Sequence, residues 1–386
     1  MTETGSTGRL SAEYSRSELA QGTETERLAR RLGLTLTNVL GLERDVLDQL
    51  SPEEHGIPWW SPPLDTARRV LVADQLYLGV AAIGENLVEA ELSRLAVEDA
   101  WEQMRERFRA AIRAGARGIT MPTVRAPSDD LPNVREKLAT AGVFRALGSV
   151  LDCLAAGLIG VCALPLPILR ADLGRVRQYR ASPAAQGLHF CQQEVLARFE
   201  DHVTRVGPDG WLQWTLDMRN TLVHRGRRTE LMLPGEIAPQ LFVPPSAGAD
   251  KVRLEALLPR EPGRSEVEAL RDAQGSTDMM LSEHAGETLT GVVASTAGLV
   301  EAVAQDLADL WADRVSGALV LEQPVAQWPS LTPASATNFL GYAPGSVQGG
   351  RTATTMAVNP QLGRRFAAAA IMDQTRNLWD TWLAQA

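Results

Sequence analysis

One stretch, 133–169, limits what this chain can fold into more than any other. A helix is expected over 133–160, and its second half is nearly all apolar. A helix that is apolar all round has to be enclosed, either by other helices or by lipid. The most apolar run, Leu154 to Leu169, is short of the ~20 residues that a bilayer span needs. It also holds Pro165 and Pro167 and follows Arg145 and Asp152. A buried core helix is therefore the expectation, and the chain must supply the helices that surround it.

It has the periodicity to do so. Helical spacing appears over 25–50 (Leu28, Leu32, Leu36, Leu40, Leu47) and from an N-cap at Asp65 to about residue 117. It returns over 188–206, over 285–314 (Leu289, Val292, Val293, Leu299, Val303, Leu307) and over 364–383. Between these lie a proline-rich loop at 51–63 carrying Trp59 and Trp60, a linker at 118–132 and a mixed connecting segment at 170–187. Short apolar runs separated by prolines over 230–258 read as a small β-rich insertion. The expected fold is thus mainly α, a helical bundle with a β-rich insertion. A disordered N-terminus is expected over 1–22, the helical domain over 23–314, and a Pro/Gly-rich loop with a C-terminal helix on the same body over 315–386.

Composition narrows the function classes. The net charge of −9 argues against a broad nucleic-acid-coating surface but leaves room for a small basic pocket. Only Lys137 and Lys251 are lysine, and the rest of the 38 basic residues are arginine, the bias of GC-rich bacterial coding. Cys153, Cys162 and Cys191 are odd in number and show no CxxC spacing, so neither a disulfide framework nor a zinc site is expected. No signal peptide is visible at the N-terminus, and a cytoplasmic location, without membrane attachment, is expected. Nucleotide-binding glycine loops, HExxH and GxSxG are absent, and no cofactor or metal is expected.

The chemistry concentrates on one helix. After the turn Gly207-Pro208-Asp209-Gly210, the residues to Gly226 form an amphipathic helix with Asp209 as expected cap and Gly226 as stop. Trp211, Trp214, Met218 and Leu222 make one apolar stripe, and Leu212, Leu216 and Val223 an adjacent one. Gln213, Asp217, Asn220 and His224 form a polar ridge. Asn220 and His224 are four residues apart and can touch, so the amide can orient the imidazole. Arg219 projects into the second apolar stripe, about 140° around the axis from His224. It must snorkel out or find an anionic partner, because a buried unpaired charge is costly. Asp152, the most out-of-place charge in the central helix, is a candidate partner; a structural pair between Asp152 and Arg145 or another arginine is the alternative.

The run Arg219-Asn220-x-x-x-His224 resembles the signature of the HEPN superfamily: arginine, a polar residue, three variable residues, histidine. The preceding helix at 188–206 and the stop at Gly226 are similar to that family too. The resemblance implies a helical bundle that forms a homodimer and brings two motifs into one cleft. In active members it implies metal-independent RNA cleavage, in toxins or anti-phage defence effectors working with an antitoxin or a defence-system partner. Other members only bind or scaffold.

Cleavage of RNA requires a proton taken from the ribose 2′-OH, a proton given to the leaving 5′-oxygen, and charge offset at the phosphorane. His224 can serve as acid or base, and Arg219 can donate to non-bridging oxygens. Asn220 can orient His224 or the phosphate. Arg225, Arg227 and Arg228 form a basic lip for flanking phosphates. The expected products are a 2′,3′-cyclic phosphate and a 5′-hydroxyl. Two bland readings stand beside this one: a solvated basic helix end, and a non-catalytic dimerisation or nucleotide/RNA-binding module. Of the other histidines, His202 reads as a satisfied core residue beside Cys191, Val195 and Phe199, while His55 and His284 show no ligand spacing.

Overall fold

The computed structural model describes residues 24–50, 60, 66–113, 131–224, 241, 281, 283–321 and 342. Among the described residues the chain is mainly α, with no strand. The helices are α1 (Glu24–Arg31), α2 (Thr37–Leu50), α3 (Thr66–Arg113), α4 (Leu131–Val161), α5 (Leu173–Arg180), α6 (Phe190–Val206), α7 (Trp211–His224) and α8 (Ala285–Val315). The expectations for 1–22, for the 51–63 loop apart from Trp60, and for the 230–258 insertion apart from Leu241 lie outside the described residues. So do the 364–383 helix, Asp65 as a cap and the stop at Gly226.

The central helix is α4, and it is enclosed as its composition demands. Val143, Phe144, Leu147, Val150, Leu151, Leu154 and Leu158 are all fully buried. It pairs along most of its length with antiparallel α3. Gly142 lets the two backbones approach closely, since a Cβ there would lie 2.8 Å from Ser93 Oγ. α8 packs across α2, α6, α4 and α3, α7 lies on α4, and α1 packs on α3. α4 is the described helix long and apolar enough to cross a membrane, yet 78% of its apolar window is buried inside the bundle.

Four expectations are corrected, two of them only at a helix start. The helix expected over 25–50 is two helices, because Gly33 adopts a left-handed φ of 74°. Leu34 N–H reaches back to Ala29 O and Gly33 N–H to Arg30 O, which closes α1. α2 then starts afresh under a carboxylate: Glu301 of α8 accepts from the backbone N–H groups of Asn38 (3.0 Å) and Val39 (3.1 Å). The 170–187 segment contains a helix, α5, whose N-cap Asp172 accepts from Arg175 N–H. α6 begins at Phe190, with His189 as cap in a capping box with Gln192. α4 starts at Leu131, inside the expected linker, with Pro132 in the first turn where its missing N–H costs nothing.

The far end of α4 is capped by tertiary contacts. Buried Arg314 donates to Gly160 O (3.1 Å) and Val161 O (2.6 Å). Trp60 Nε1 donates to Gly160 O, and Gln192 Nε2 to Cys162 O. The chain leaves through Ala163, at a φ of 51°, with Leu164 N–H closing on Ile159 O.

Candidate functional site

The motif helix α7 is placed by its apolar side. Trp211, Leu212 and Met218 are buried, and Trp214 meets Phe144 of α4 edge-on at 5.4 Å between ring centroids. Two threonines share the buried face, and Thr215 satisfies its hydroxyl by donating to Trp211 O. The polar ridge is only partly solvent-facing. Gln213 and Asn220 are exposed, whereas Asp217 is buried and accepts from Gln213 Nε2 at 3.1 Å.

Of the two outcomes open to Arg219, the structure shows an anionic partner. Its Nη2 donates to Asp152 Oδ2 at 2.5 Å, each side chain about a quarter exposed. Arg145 is not that partner: its Nε donates to Ala141 O in its own helix. The arginine reaches Asp152 by lying across Gly148, one turn earlier on α4. A Cβ at 148 would come within 2.8 Å of Arg219 Cγ and Nε. The sequence alone does not single out Gly148. Its signal is the Gly148-x-x-x-Asp152 spacing, which puts a gap and an acid on one face of a helix.

Asp152 is held from a second side, where Leu173 N–H at the start of α5 donates to Oδ1 at 3.4 Å. Burial pushes its carboxyl above the usual aspartate range. The Arg219 guanidinium opposes that shift, and nearby Asp172 reinforces it. Arg219 spends one of its five N–H donors on Asp152 and none on any other described residue.

Arg219 and Asp152 thus meet at the α4–α7 seam, while Asn220, the next residue on α7, is exposed. His224 is the last residue of α7, and its side chain lies outside the described residues, as do Arg225, Arg227 and Arg228. His202 is buried, as expected of a core residue, with its Nε2 2.8 Å from Asp306 Oδ2 on α8. Asp306 also accepts from Arg198 at 3.1 Å, so the pair ties α6 to α8. His284 caps α8 through Nδ1 and stands edge-on to Trp101. The thiols of Cys153 and Cys162 are pushed up by burial, to about 11 and about 12, which suits structural rather than nucleophilic cysteines. Among the described residues no group of histidine, cysteine and carboxylate side chains is arranged to hold a metal ion. Comparison of the chain with protein-family models, with curated proteins and with solved structures finds no match.

Proposed function

We propose that the chain is a HEPN-type, metal-independent endoribonuclease of the bacterial cytoplasm, a toxin or defence effector, acting through Arg219, Asn220 and His224. The observation that carries this reading is the anchoring of Arg219. Its guanidinium is drawn off α7, fixed at one point by Asp152, and left partly exposed with donors to spare beside exposed Asn220. A phosphate entering there meets a positioned cation that need not give up its carboxylate. Charge on the phosphorane is then offset by hydrogen bonds already in place. His224, one turn beyond Asn220, moves the proton, leaving a 2′,3′-cyclic phosphate and a 5′-hydroxyl. Arg225, Arg227 and Arg228 hold neighbouring phosphates.

One observation favours a second reading, a non-catalytic RNA-binding or dimerisation module. Asp152 already pairs with Arg219 in the free protein, a tie between α7 and α4 that serves a structural helix as well as a catalytic one.

A chelator-treated nuclease assay on a pool of structured RNAs separates the two. The expected result is cleavage with cyclic phosphate ends that falls about a hundredfold or more in His224→Ala and in Arg219→Ala. Cleavage undiminished by both substitutions sinks the assignment. RNA retention without cleavage supports the module.

A further inference from the structure

The α3–α4 pair carries a surface that the motif does not use. An open groove of about 570 Å³ runs between the two helices, floored by Leu92 and Ala96 of α3 and by Leu138, Ala139 and Gly142 of α4. Leu92 is 47% and Leu138 50% exposed, large apolar side chains that a lone surface helix seldom presents across a shared groove. The walls are charged, and each wall has one sign. Glu89 and Asp99 stand on α3, Arg135 and Arg145 on α4, all four exposed. Among the described residues none of the four is in an ion pair.

The register is set by the contact of Ser93 with Gly142. Counting turns along the antiparallel pair from there places Asp99 level with Arg135 and Glu89 level with Arg145. Leu92 is then level with Gly142, and Leu138 with Ala96. We propose that this groove is the interface for a second copy of the chain, related by a two-fold axis running along the groove. That operation lays the second copy's α3 over the first copy's α4 at the same level. Asp99 and Glu89 then meet the second copy's Arg135 and Arg145, and each contact occurs twice because the interface is self-complementary. Leu92 falls on the small Gly142 and Leu138 on Ala96, large side chains onto small ones. A two-fold axis across the groove instead sets acidic α3 against acidic α3 and is repelled. The charge pattern therefore selects both the partner and its orientation. This inference stands on the groove alone and does not depend on the activity proposed for α7.

Light scattering during size exclusion, on the full chain at several concentrations, tests it. The wild type is expected to dimerise. Asp99→Arg and Arg135→Asp, both on exposed helix positions, are each expected to weaken self-association about tenfold or more, with helicity unchanged by circular dichroism. Mixing the two variants is expected to restore a dimer. In the mixed pair the two introduced charges face each other as opposites, and the unaltered Asp99 of one copy faces the unaltered Arg135 of the other. A wild type that stays monomeric throughout the micromolar range overturns the proposal. So does dimerisation indifferent to either reversal, or a mixture that fails to recover. A monomeric wild type would also count against the homodimer that the HEPN resemblance implies. The charge reversals and their mixture bear on this groove alone, so the failure of the groove and the failure of the activity are distinguishable.

Discussion

Arg219 reaches Asp152 because Gly148 offers no Cβ in its path, and a carboxylate on the central helix of the bundle is tolerable because that arginine arrives. The two are one device, and it makes stability depend on pH. Burial raises the Asp152 carboxyl and Arg219 is the largest opposing influence, so the folded state holds this proton more tightly than the unfolded chain does. The stability that this gives is fully present below the ordinary value of 3.8 and is lost as pH rises through the folded midpoint. A carboxyl-carbon NMR titration is expected to place Asp152 above 3.8, and higher still in Arg219→Met. A midpoint at or below 3.8, or one unmoved by the substitution, contradicts this account. The sequence shows that Arg219 must snorkel out or find an anion, and it singles out Asp152 as an odd charge. It leaves Arg145 open as the partner, because choosing between them needs the crossing of α7 over α4, which no local spacing encodes.

At the scale of elements, long periodic helices are legible in the sequence and their ends are not. α8, expected over 285–314, ends one residue later, because a wide apolar stripe dominates propensity over so many turns. The break at Gly33 is hidden by leucines that keep helical spacing on both sides of it. α5 escapes such reading because its eight residues are mostly polar and only Leu173 and Val176 are buried, so it has almost no stripe to show. The end of α4 shows why termini resist it too: its carbonyls are satisfied by residues distant in sequence. Arg314 comes from 153 residues beyond Val161, and burial lowers its pKa to about 10. Replacing it with methionine removes a costly buried charge but orphans the Val161 carbonyl. The orphaned acceptor should dominate, and Arg314→Met is expected to lose about 1–3 kcal/mol in urea unfolding. A variant as stable as the wild type would mean that the cap contributes nothing net.

The molecule as a whole is organised around α4, and each face of that helix has a separate task. One face builds the core with α3 and α8, another receives α7 and holds Arg219, and a third, carrying exposed Arg135, Leu138 and Arg145, lines the groove proposed to receive a second copy. The composition of 133–169 requires such a centre, so the bundle can be anticipated without any family. The groove cannot, because it depends on α3 and α4 being antiparallel in one register, which Ser93 and Gly142 set by contact. If α4 is the centre, local stability should grade outward from it. Native-state hydrogen exchange is expected to find the slowest amides between Val143 and Leu158, exchanging only through global unfolding. The amides of α5, which packs one edge of α4 with two buried side chains, should exchange through local opening at a much lower free energy. Equal protection of α5 and mid-α4 would mean that the bundle opens as a single unit. Asp152 and Arg219 would then owe their positions to the whole assembly rather than to the helix that runs through it.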